Sequence, residues 1–137
     1  MKWEKEMEFL QAAFAASQPM RQAWVAFEPS GQRICVEVAE TSEQRAAGMV
    51  GRSFTDDVSA MLFVEPVETY AKFHMRNVNF PLVLAIFDSA GVFLDSIHMP
   101  AESTSVVHAH GFRYALEMAP EIFAALELVG QTFSLEG

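Results

Sequence analysis

Arg76 and Asn77 stand side by side in the run Lys72-Phe73-His74-Met75-Arg76-Asn77-Val78-Asn79-Phe80-Pro81, and Arg52 lies upstream in a loop. A guanidinium fork grips carboxylate or phosphate oxygens with two parallel hydrogen bonds, and a neighbouring amide adds both a donor and an acceptor. Converging, Arg52, Arg76 and Asn77 could hold a small anion. His74 and Glu117 are the candidates for a general base, with Arg76 then stabilising negative charge in a transition state. The ordinary alternative is that Arg76 and Arg52 pair with resident acids such as Glu117 and Asp57, while Asn77 caps a turn. His108 and His110, two apart, would share one side of a strand and could meet a metal with Glu102 as a third ligand; solvated imidazoles are the simpler reading. His74 and His98 otherwise stand alone. No serine sits on a strand-to-helix elbow, and the glycines lack the paired spacing of a phosphate loop.

These side chains must be placed by the elements around them. Phe73 and Met75 alternate with Lys72, His74 and Arg76, so the first half of the run reads as a strand with an apolar and a cationic side. Leu82-Val83-Leu84-Ala85-Ile86-Phe87 is continuously apolar, the pattern of a strand buried on both faces. Pro81 cannot donate to a ladder and should mark a break between the two. The cation and its amide neighbour would then sit at a kink, with Phe73, Met75 and Pro81 shaping the support beneath.

Elsewhere, Trp24–Glu28 and Arg33–Ala39 flank Pro29-Ser30-Gly31-Gln32 as a hairpin. Thr41 and Gln44 have capping-box spacing for a short helix ending near Gly48. Met61–Val64 is an apolar strand, followed by Glu65–Tyr70 with a break at Pro66. Asp88-Ser89-Ala90-Gly91 turns the chain into Val92–Met99, antiparallel to the buried strand and stopped by Pro100. Gly111–Met118 alternates, with Phe112, Tyr114, Leu116 and Met118 on one face and Arg113 and Glu117 on the other. Pro120 starts a helix to about Leu126, and Gln131–Leu135 closes as a last strand. Cys35 lies in an apolar run and reads as a buried, inert thiol. The methionines read as core filler.

Trp3, Met7, Leu10 and Phe14 recur at helical spacing with acids on other faces. Residues 1–22 are therefore expected as an amphipathic helix and residues 23–137 as a single β-rich domain. That helix would dock on its own domain or, alternatively, on a second copy in a homodimer. The fold expected is mainly β, bordering on α+β: a compact antiparallel β-barrel or sandwich-like sheet with short helices plus the N-terminal helix.

Nine basic against 18 acidic residues give a net charge of −9, which disfavours nucleic acid and anionic membranes as partners. Any cationic pocket must be built locally. The single cysteine excludes an internal disulfide. No apolar run reaches the roughly 18 residues of a membrane span. Glu4, Glu6 and Glu8 stand where a secretory signal would be positive, so the expected compartment is the cytoplasm.

From about Arg33 to Leu135 the chain resembles the bacterial and archaeal family known as domain of unknown function 192. The resemblance rests on Val36-Glu37-Val38-Ala39, Glu43-Gln44-Arg45-Ala46-Ala47-Gly48-Met49, Arg52, Met61-Leu62-Phe63-Val64, Phe73-His74-Met75-Arg76-Asn77, Pro81-Leu82 and Tyr114-Ala115-Leu116-Glu117. This chain has His74 where the family usually has Trp, Arg76 where it has Lys, and Val83 where it has Asp. Many relatives carry a signal peptide. The resemblance implies a compact, mainly β fold and supplies no reaction.

The expected function is a non-catalytic domain binding a small anionic molecule or a protein partner through Arg52, Phe73, His74, Met75, Arg76, Asn77, Pro81 and Glu117. No cofactor is expected. The alternatives are a small hydrolase or lyase using His74 or Glu117 with Arg76, and an assembly protein associating through its N-terminal helix.

Overall fold

The computed structural model describes residues 20–75, 77–103 and 107–136, with the backbone alone for Val107 and His108. The helix expected before Pro19, and Arg76, lie outside the described residues. Seven strands form one sheet: β1 (Arg21–Glu28), β2 (Arg33–Ala39), β3 (Ala60–Phe73), β4 (Leu82–Phe87), β5 (Phe93–Met99), β6 (Val107–Met118) and β7 (Thr132–Glu136). Among the described residues two short helices interrupt them, α1 (Ser42–Ala47) and α2 (Pro120–Leu126). The strand order is β5-β4-β6-β3-β2-β1-β7.

The expected mainly β architecture is what the chain adopts, with one pairing the pattern did not reveal: β2 and β3 run parallel while every other pair is antiparallel. A parallel pair needs a crossover, and α1 with the loop after it supplies one. Its start is fixed by the capping box: the Thr41 hydroxyl accepts from the Gln44 N–H at 3.1 Å, and the Gln44 side-chain oxygen accepts from the Thr41 N–H at 3.1 Å. Such a cap contributes about 1 kcal/mol.

The sheet curls into a half-barrel, and among the described residues its two ends are joined by one isolated bridge. Val92 bridges Thr132, the Phe93 N–H donates to the Gln131 carbonyl at 3.1 Å, and the Phe133 N–H donates to the Gly91 carbonyl at 2.9 Å. Inside the curl, Phe27, Val36, Val38, Leu62, Phe87, Leu116, Met118, Leu128 and Phe133 form one core, on which Ile122 and Phe123 of α2 pack. The opposite face of β2, β3, β4 and β6 carries a second core of Met49, Met61, Phe63, Met75, Leu84, Ile86 and Phe112. It is roofed by Met20, Val50, Phe54, Phe73 and Phe80, which come from loops and from the ends of strands. All six residues of β4 are buried because it lies between the two cores.

Two local expectations need correction. Pro66 does not end its strand: β3 continues through it to Phe73, because Glu65–Glu68 lie outside the β6 ladder, where the register jumps from Val64 opposite Tyr114 to Thr69 opposite Phe112. A proline lacking an N–H is tolerated where no ladder bond is asked of it. The same irregularity moves Phe112 off the face of Tyr114, Leu116 and Met118 and into the second core.

Candidate functional site

Four strands contribute one row of side chains to the roofed face. Glu37 of β2 is opposite Met61 of β3, Met61 is opposite Glu117 of β6, and Glu117 is opposite Leu84 of β4. Paired residues in a sheet point the same way, so two carboxylates face the second core with a methionine between them, roughly 10 Å apart by strand spacing. Their environments differ sharply.

Glu37 is compensated. The Arg52 Nη1 donates to its Oε2 at 2.7 Å, with the two side chains 13% and 23% exposed. Arg52 thus pairs with Glu37 and not with Asp57, the partner expected from proximity in the chain. The loop after α1 turns at Met49–Arg52, where the Arg52 N–H donates to the Met49 carbonyl at 3.1 Å, and the Arg52 side chain ties it to β2.

Glu117 is not compensated. It is 5% exposed, and among the described residues its side chain has no hydrogen-bond or ion-pair partner. No fully enclosed side-chain oxygen among them is left unsatisfied, so the carboxyl reaches open space. That space is a cleft of about 40 Å³ between the 45–50 segment and the 72–78 segment. Its walls are Gly48, Met49, Val50, Phe63, Phe73 and Val78, and the charged side chains lining it besides Glu117 are Arg45 and Lys72, with His74. Phe73 is fixed edge-on to Phe63 at 5.7 Å and tilted on Phe112 at 6.0 Å. Burial penalises the charged form, and with nothing to offset it the Glu117 carboxyl is pushed from 4.5 up to about 8.

The two cations of the lining are not equivalent. Arg45 Nε is paired with Glu65 at 3.2 Å, and its Nη1 donates to the Glu40 and Val64 carbonyls at 2.6 and 3.2 Å. Lys72 is exposed at the mouth and has no ion pair or hydrogen bond among the described residues.

Of the residues singled out from sequence, Phe73, His74 and Glu117 converge on the cleft. Neither Arg52 nor its partner Glu37 is part of the lining. Met75 is buried in the core beneath, and Asn77 is exposed with φ 62 in the turn closed by the Val78 N–H on the Met75 carbonyl. The left-handed conformation suits asparagine and lets Val78 return to the wall. Pro81 is exposed ahead of β4, away from the lining. His110 lies against the Tyr70 ring at 4.6 Å. Among the described residues no three His, Cys, Asp or Glu come together as a metal site, nor is any helix long and apolar enough to cross a membrane. Lys72 was legible only as one member of an alternating strand; its place in one lining with Glu117 depends on how distant segments cross, which no local pattern signals.

The sequence matches the model of DUF192, described as "Uncharacterized ACR", over residues 25–135. No curated protein matches it. Among solved structures, a proposed transcription regulator from Sinorhizobium meliloti 1021 is similar with a TM-score of 0.77 and 21% identity, covering 87% of this chain and 97% of that one. A protein of unknown function from Novosphingobium aromaticivorans DSM 12444 is similar with a TM-score of 0.69 and 21% identity, covering 88% and 95%. At that identity the likeness is one of fold.

Proposed function

The chain belongs to the DUF192 family, and we propose that it works as a non-catalytic binding domain for a small molecule seated in the cleft above Glu117. The supporting observation is the carboxyl itself. A buried polar group without a partner costs about 1–3 kcal/mol, and Leu or Met would fill the same floor without that cost. A group that is expensive to the free fold and open to a cleft is suited to a ligand that completes its hydrogen bonds. The compartment in this reading is the cytoplasm, and the ligand is an anion or another small polar molecule.

A thermal-shift panel of small carboxylates, amines and amides on the wild type and on Glu117→Leu tests this. At a hundredfold excess over Kd, a true ligand stabilises the wild type by about 2.7 kcal/mol. The leucine variant should gain nothing from the same compound. Equal gains in both proteins, or none in the wild type, contradict the reading.

One observation favours a second reading, a hydrolase or lyase. Glu117 is held up to about 8 beside His74 in a single lining, the range in which a carboxyl serves as acid or base near neutrality. Turnover of a bound ligand, lost in Glu117→Gln while binding persists, would distinguish it.

A further inference from the structure

Resting on that binding reading, we infer that the cleft takes a carboxylate headgroup, held between the Glu117 carboxyl at its floor and the Lys72 ammonium at its mouth. Size comes first. A cleft of about 40 Å³ has room for roughly three water-sized groups, the three heavy atoms of a carboxylate. Apolar walls of Met49, Phe63, Phe73 and Val78 leave a place for a short hydrocarbon stem leading outward.

Charge points the same way. On a chain of net charge −9, the lining reverses sign locally, with Arg45 and Lys72 against one acid. Arg45 is committed to Glu65 and two carbonyls. Lys72 is committed to nothing among the described residues. An incoming carboxylate gains that ammonium and accepts a hydrogen bond from the protonated acid of Glu117, a short charge-assisted bond. An incoming ammonium would face Lys72 and would have to draw the proton off Glu117 first.

The same arrangement couples binding to a proton, because two carboxyls in contact cannot both ionise. Among the described residues the groups facing Glu117 are few. From β3 come uncharged Met61 and, at the strand's far end, Lys72; from β4 comes uncharged Leu84. Arg45 of α1 and His74 complete the lining, and Glu37 of β2 is neutralised by Arg52. A bound carboxylate therefore raises Glu117 further above its free value of about 8. Affinity should stay level while the free site holds its proton and fall by up to about tenfold per pH unit once it does not.

The test uses acetate, acetamide and methylammonium as probes at concentrations to about 100 mM, with chemical-shift changes in the full chain as readout. Acetate should bind at about pH 6.5 and weaken at least about tenfold by about pH 9.5. Lys72→Ala should weaken acetate several-fold at the lower pH, and Glu117→Gln should keep acetate binding, through its amide donor, but lose the fall with pH. Methylammonium or acetamide binding in place of acetate would overturn the carboxylate assignment and leave the cleft a binding site. An acetate affinity unchanged by pH, or by Lys72→Ala, overturns it as well. Binding of none of the three by the wild type contradicts both the assignment and the binding reading beneath it.

Discussion

Replacing Glu117 with glutamine is expected to raise the melting temperature at about pH 8 by roughly 10 °C and to flatten the fall in stability between about pH 5 and pH 8. The sign follows from proton counting. The carboxyl is raised in the folded chain from 4.5 to about 8. Below the lower value both folded and unfolded chains hold the proton, and the stabilising difference is fully present. Between the two the unfolded chain has released its proton and the folded chain has not, so each pH unit favours unfolding by about 1.4 kcal/mol. Across the window this approaches about 5 kcal/mol, large beside the 5–15 kcal/mol of a typical domain. Glutamine keeps the shape and does not titrate. Urea unfolding of both proteins at several pH values reads the difference. Parallel curves for wild type and Glu117→Gln would mean that the acid is not held neutral.

The second large effect is at the seam of the half-barrel. Gly91→Ala should destabilise by about 3 kcal/mol and free the Phe133 and Phe93 amides to exchange, because two costs coincide there. Gly91 has φ +83, where an L side chain is strained by about 1 kcal/mol. A Cβ at this position would also lie 2.4 Å from the Phe133 carbonyl oxygen, a backbone atom that cannot move aside without opening the β5–β7 contact. Gly111 separates the two costs. It has φ +64 with no atom near the would-be Cβ, so Gly111→Ala should cost only the strain, about 1 kcal/mol. Chemical unfolding with amide exchange checks both, and equal losses at the two glycines would remove the seam from the account.

The contrast between Glu117 and the β4 strand shows where sequence pattern stops being informative. Leu82–Phe87 could be read as doubly buried because an unbroken apolar run has no other stable home, and it is. Thr41 and Gln44 announced the helix start because capping is local chemistry over three residues. Glu117 obeyed the alternation of its strand, opposite in face to Leu116 and Met118, yet alternation alone equates the second face with solvent. That equation fails here because two segments distant in the chain fold over the sheet and bury the face. The partner of Arg52 was hidden for the same reason: Glu37 is near it only through the parallel β2–β3 pairing. The irregularity that swings Phe112 into the second core likewise comes from three extra residues on the neighbouring strand, four standing against one, with nothing in β6 but Gly111 to mark it. The fold was legible to the extent that it is made of local periodicity; the cleft is made of crossings between distant segments, and only its members could be named.

The neutral state of Glu117 at the floor of its cleft is what both the pH dependence and the binding reading require. It is tested most directly by labelling the glutamate side-chain carboxyl carbons with carbon-13 and following their shifts with pH, the Glu117 signal being assigned by its loss in Glu117→Gln. The expected resonance holds its protonated position through neutrality and moves with a midpoint of about 8. A Glu117 midpoint at its unperturbed value of 4.5 would contradict it.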